Sequence, residues 1–89
     1  AVTVNLGVLS GPVELKLNYK TAFGGFVRVE VLDHPAYGLA ECKPLEGDAL
    51  GETVAWSSGS RIIPNGCDPV RVRIHAEGAT LYAYEVVPA

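Results

Sequence analysis

Apolar and polar residues alternate along most of this chain. Over residues 2–8, Val2, Val4, Leu6 and Val8 alternate with smaller or polar neighbours. Val13, Leu15, Leu17 and Tyr19 then oppose Glu14, Lys16 and Asn18. Further on, Val27, Val29 and Val31 oppose Arg28 and Glu30, and Val54 shares a side with Trp56. Val70, Val72 and Ile74 oppose Arg71, Arg73 and His75, while Tyr82, Tyr84 and Val86 oppose Ala83 and Glu85. A period of two means strands with one face on a core and one in water. No longer segment shows a helical period.

Turn signals separate these runs. They are Ser10-Gly11-Pro12, Gly24-Gly25, Asp33-His34-Pro35, Gly47-Asp48, Ser58-Gly59, Pro64-Asn65-Gly66 and Glu77-Gly78. Each joins a residue of special backbone freedom or fixed φ to a polar neighbour. Short alternating runs with regular punctuation predict an all-β, antiparallel two-sheet β-sandwich of about six to eight strands, immunoglobulin-like or jelly-roll-like. Its expected core is Leu15, Leu17, Val27, Val29, Val31, Val54, Trp56, Val70, Val72, Ile74, Tyr82 and Tyr84. Residues 33–52 do not alternate and are too long for a hairpin. They are expected to cross from one sheet to the other and to be the most plausible seat of a site.

Composition narrows the picture. Eighty-nine residues make one domain, 1–89, with one core and little room for a deep cleft. The chain is read as a module excised from a longer protein. Hydrophobic residues at 48% and charged residues at 19% fit a folded globular domain. The net charge of −3 offers no concentrated basic surface, so nucleic acid is not an expected partner. No apolar run reaches the roughly 20 residues of a membrane helix, so no membrane is expected either. Cys42 and Cys67 lack metal-binding spacing. Two free thiols are the default, and a disulfide closing a long loop is the alternative.

Candidate chemistry is sparse. Glu14, Glu30 and Glu85 stand on outer strand faces among Lys and Arg, as in a solvated cross-strand ladder. Arg28, Arg71 and Arg73 form a stripe that the same carboxylates offset. Glu41, Glu46, Asp48 and Glu52 lie in the crossover, but without the dense acidic pattern of a calcium loop and with Lys43 among them. No metal or cofactor is assigned. His34 and His75 are far apart, Ser57, Ser58 and Ser60 lack a nucleophile-elbow context, and Cys42 has no evident base. No catalytic residue is assigned. Tyr19, Trp56, Tyr82 and Tyr84 have core parity. That leaves Phe23, Phe26 and Tyr37, with Asp48, as candidate ligand-binding residues for a carbohydrate. Asp48 is also expected to accept backbone N–H bonds and pin the crossover.

Three motifs then carry a family resemblance: GGFVRVEVLD at 24–33, ECKPLEGDALGETVAW at 41–56 and PVRVRIHAEGATLYAYEV at 69–86. In order and spacing they resemble the C-terminal β-sandwich of a bacterial group of five-bladed-propeller, glycoside-hydrolase-like proteins. The recognisable positions include Arg28, Glu30, Asp33, Cys42, Pro44, Leu45, Gly47, Asp48, Trp56, Arg71, Arg73, Leu81 and Tyr82. The chain departs from the pattern at His34-Pro35-Ala36-Tyr37 and at Pro64-Asn65-Gly66-Cys67. The resemblance implies an extracytoplasmic accessory domain of undefined function, without catalysis of its own. It would partner a neighbouring glycosidase-like domain of the same longer chain. Cys42, Pro44, Gly47 and Asp48 are then structural loop residues. The alternative is a carbohydrate-binding module that uses the loop aromatics.

Overall fold

The computed structural model describes residues 2–32, 34–64 and 68–89. These residues are all-β. Four strands form one antiparallel sheet, and no α-helix occurs among them. The strands are β1 (Val2–Gly7), β2 (Val13–Val31), β3 (Asp48–Thr53) and β4 (Val70–Pro88), in the sheet order β1-β4-β2-β3. Two single 3-10 turns, Pro35–Tyr37 and Leu39–Glu41, lie in the crossover. Asp33, Asn65, Gly66 and Cys67, which figured in the expected turns and motifs, lie outside the described residues.

The sequence pattern counts more strands than the structure holds, and the reason lies in two glycine signals. Gly24-Gly25 and Glu77-Gly78 read as hairpin turns. Instead each bends a continuous 19-residue strand, β2 and β4 respectively. Thr21 pairs with Ala79 and Phe26 with Glu77, so residues 22–25 stand opposite Gly78 alone. The backbones approach closely there. A Cβ on Gly25 would come within 2.8 Å of the Glu77 carbonyl oxygen and nearer still to that of Gly78. Gly78 itself adopts φ +56°, where only glycine sits without strain. A straight strand of this length would span about 63 Å. The longest dimension of the molecule is 39 Å, so the β2–β4 ribbon must fold.

The bend divides the ribbon into two wings. In one, residues 13–21 of β2 lie between β3 and residues 79–88 of β4. In the other, residues 72–77 of β4 pair with residues 26–31 of β2, and β1 takes the far side of β4 over residues 70–74. The inward faces of both wings belong to one core, which also takes Val54, Trp56, Ile62, Leu45, Tyr37 and Cys42 from outside the strands. Leu15, Leu17, Val27, Val29, Val54, Trp56 and Val72 are fully buried, and Val31, Val70 and Ile74 nearly so. No polar or charged side chain is buried among the described residues.

Two expected core residues are not in it. Tyr82 is 65% exposed and Tyr84 48% exposed. Tyr82 is the extra residue of a bulge, because Asn18 pairs with Ala83 and Tyr19 with Leu81. A bulge pushes its residue out of the alternation and shifts the parity beyond it. Tyr84 does share a face with its partner Leu17. It stays exposed because β4 has no neighbour on its outer side at this level, among the described residues.

The bend glycine gives a clear test. Gly25→Ala should lose at least about 1–3 kcal/mol of stability, since added volume against fixed backbone cannot be relieved by a rotamer change. Gly11 has nothing within 4 Å of a built Cβ and no positive φ. Gly11→Ala should therefore stay within about 0.5 kcal/mol of wild type. Urea denaturation of the two variants checks both outcomes.

Candidate functional site

The crossover from β2 to β3 is held by backbone hydrogen bonds to three different partners. Leu32 N–H donates to Arg71 O at 2.9 Å as the chain leaves β2. Lys43 N–H donates to Ala55 O at 2.9 Å and Ser57 N–H to Glu41 O at 2.8 Å, laying residues 41–43 beside residues 55–57. The Ser57 hydroxyl also donates to the Glu41 carboxylate. Leu45 and Val27 then exchange both backbone bonds at 2.9 Å, which extends the edge of β2 by one residue. A segment so tied is part of the framework rather than a free binding loop.

Trp56 is the centre of this framework. Its amide and the Gly59 amide exchange bonds of 2.8 and 2.9 Å, closing a tight turn over Ser57-Ser58. The indole is fully buried, and Nε1–H donates to Val29 O at 2.9 Å. Cys42 lies beside it, bridged to Trp56 through the backbone. The thiol is buried and free, and its sulfur accepts the Val29 N–H at 3.3 Å. Its expected alternative partner, Cys67, lies outside the described residues. Burial pushes the Cys42 thiol pKa up, against a weaker pull from the Val29 N–H and the Arg28 guanidinium. A protonated thiol is a poor nucleophile and a poor metal ligand.

The four candidate ligand residues do not converge. Tyr37 is buried in the core, its ring 5.4 Å from Trp56 in an edge-on arrangement and 5.2 Å from His34. Its hydroxyl accepts the Ile63 N–H at 3.4 Å. The 3-10 turn at Pro35–Tyr37 swings this loop ring inward, so it is not a free platform. Phe26 is half-buried on the outer sheet face, with the Arg28 guanidinium 5.2 Å from its ring centre. Phe23 is fully exposed at the bend, above a depression shared with Thr21, Glu46 and Gly47. Asp48 lines a different depression, with Tyr19, Leu50 and Tyr82. Among the described residues, no three His, Cys, Asp or Glu side chains gather in a cation-binding group.

Of the loop residues, Cys42 is buried, whereas Pro44, Gly47 and Asp48 are exposed. Asp48 does not pin the crossover. It begins β3 opposite Lys20, and its carboxylate makes no hydrogen bond or ion pair among the described residues. The pin is Thr21, which sequence reading passed over. Thr21 N–H donates to Gly47 O at 3.0 Å, Gly47 N–H donates to Thr21 Oγ1 at 2.7 Å, and that hydroxyl also approaches Gly47 O at 3.2 Å. Gly47 has φ +88°, which turns its N–H and C=O together toward Thr21. The two residues are 26 apart in sequence, so no local motif announces the clamp.

The outer face carries one cross-strand charge cluster, centred on Glu30, among the described residues. Glu30 Oε1 is 3.0 Å from His75 Nε2 and 3.4 Å from Arg73 Nη1. Glu14 accepts the Ser60 hydroxyl at 2.6 Å. Such exposed pairs contribute little to stability. The Glu30 group matches the ladder expected from the alternation, whereas Glu14 is held by a neutral serine and Glu85 has no ion pair among the described residues.

Two variants separate the two pins. Thr21→Val should lose about 1–2 kcal/mol, while Asp48→Ala should stay within about 0.5 kcal/mol of wild type. Thermal unfolding of both checks this. A pH profile gives a second test. Burial raises the pKa of Cys42, and burial followed by the Glu52 and Glu46 carboxylates raises that of Tyr19. Both groups therefore stay protonated in the folded protein where the unfolded chain already ionises. Their stability contribution is complete below the ordinary thiol pKa of 9.0 and is lost as pH rises through the folded values. Unfolding free energy should decline above that pH. In Cys42→Ala the decline should begin nearer 10.0, the ordinary tyrosine value.

Comparison with protein-family models, with curated proteins and with solved structures gives no match. What the chain does is therefore read from its own surface and interior.

Proposed function

We propose that this chain is a non-catalytic β-sandwich-like accessory module that docks against a neighbouring domain. The sequence resemblance suggests the kind of neighbour: a glycosidase-like domain in an extracytoplasmic bacterial protein. The observation that carries the docking reading is a band of uncovered apolar side chains on one side of the fold. Leu50 is 88% exposed and Val2 56% exposed, and Tyr82 and Tyr84 lie between them. Two adjoining depressions share Tyr82. One is lined by Tyr19, Ala49 and Leu50 with Lys20 and Asp48 at its polar margin, the other by Val2, Val4, Leu81 and Tyr84. Scattered single apolar residues on a surface need no explanation, but a contiguous group this large in an 89-residue chain does. Tyrosines suit the role, since each buries a large ring and keeps a hydroxyl for the rim.

Joined in one polypeptide to the domain that its gene encodes beside it, the module should raise that domain's melting temperature. Replacing both Leu50 and Tyr82 by Glu should remove the gain without unfolding the module. A neighbour indifferent to the module, or a gene that encodes this chain alone, overturns the reading.

A second reading rests on Phe23. Its ring stands free at the bend beside Glu46 and Thr21, a geometry suited to stacking on a sugar face. Affinity electrophoresis in polysaccharide gels tests it. Retardation that disappears in Phe23→Ala supports a carbohydrate-binding module, and unretarded migration of the wild type excludes that role for the sugars used.

A further inference from the structure

One side of the core is short of a strand. Val2 and Val4 of β1 pair with Ile74 and Val72, both core residues, so they point inward. Tyr84 and Leu81 of β4 pair with Leu17 and Tyr19, also core residues, so they point inward as well. These four residues, with Tyr82 and Ala83, line a single groove. Inward-patterned side chains are thus left facing solvent along one line. The backbone beside that line is also unmatched. β1 covers the outer side of β4 only over residues 70–74, and among the described residues no strand continues the row over residues 76–88. An edge of this kind presents a ladder of free N–H and C=O groups.

Apart from the bulge at Tyr82, the edge has few safeguards. Residues 78–84, GATLYAY, contain no charge and no proline, two of the devices that keep strand edges single. The charged residues of this stretch, Glu77 and Glu85, flank the window and are exposed. Lys16 stands in register with Glu85, but its ammonium donates to Thr53 Oγ1 at 3.2 Å. Glu85 makes no ion pair among the described residues.

We propose that this groove is a strand-acceptor site, and that it takes an extended polypeptide segment with apolar residues at alternate positions and basic residues between them. The inference rests on the docking reading and specifies how docking occurs. The added strand continues the row of β1 along the outer edge of β4. Its backbone completes the ladder, its apolar side chains cover Val2, Val4, Leu81 and Tyr84, and its basic side chains meet Glu77 and Glu85. Charge selects this occupant over a second copy of the chain. Antiparallel pairing of two β4 edges about residues 80–82 would bring Glu77 of one chain within two positions of Glu85 of the other, and like charges across a sheet repel. A basic segment turns the same two carboxylates into attraction.

The test uses three synthetic decapeptides titrated calorimetrically into the whole chain. The first alternates valine and lysine. The second is the same peptide N-methylated at the residues whose N–H would face β4. The third replaces lysine by glutamate. Strand addition is expected to show as binding of the first peptide, with affinity at least about tenfold lower for each of the other two. Tyr84→Ser should weaken binding of the first peptide. Equal binding of the N-methylated peptide overturns strand addition while leaving apolar docking in place. Equal binding of the glutamate peptide overturns the basic occupant. No binding of any peptide overturns the acceptor site, and the docking reading is then judged separately by the melting of the neighbouring domain.

Discussion

Two glycines meet where the long ribbon folds, and the rest of the molecule follows from that contact. At Gly25 the backbone of β2 lies too close to Glu77 and Gly78 for any side chain to fit. Because the strands touch there without turning back, each runs on through the bend for 19 residues. Each therefore serves two wings and ties them to one another. A hairpin at either place would have given separate strands free to choose their partners. The bend removes that choice and brings Leu15 and Leu17 of one wing into the same core as Val27 and Val29 of the other.

The same geometry leaves one side open. β1 and β3 flank opposite wings, one against β4 and the other against β2. The far side of β2 is closed by Leu45, held by backbone bonds to Val27, and by Ile62, held by backbone bonds to Val13. The far side of β4 has no such closure beyond Ile74 among the described residues. Exposed Tyr84, the apolar groove and the unpaired ladder are three views of this one gap. The proposed docking would close this gap.

Much of the fold was legible in the sequence because alternation is a direct imprint of burial. Leu15, Leu17, Val27, Val29, Val31, Val70, Val72 and Ile74 repeat with period two and are all buried. The two glycine signals misled for a physical reason. A glycine that permits a turn and a glycine that permits close approach look identical in one sequence, and only the opposing strand tells them apart. Tyr82 misled because a bulge erases parity and leaves no local mark. The site was less legible. Tyr37 sits in a loop by every sequence criterion, yet a single 3-10 turn buries it against Trp56. Asp48 has the chemistry of a turn-pinning residue, but Thr21 holds the loop from 26 positions away. Long-range pairing of this kind is set by topology, which composition and spacing do not encode.

Native-state amide hydrogen exchange along β4 tests the open edge most directly. Within residues 72–74 both sides of the strand are paired, so successive amides should all exchange slowly. Over residues 76–87 only the amides directed at β2 have partners, so slow and fast exchange should alternate, with a change of phase at the Tyr82 bulge. Uniform protection across residues 76–87 would contradict an open edge and, with it, a module completed by a partner strand.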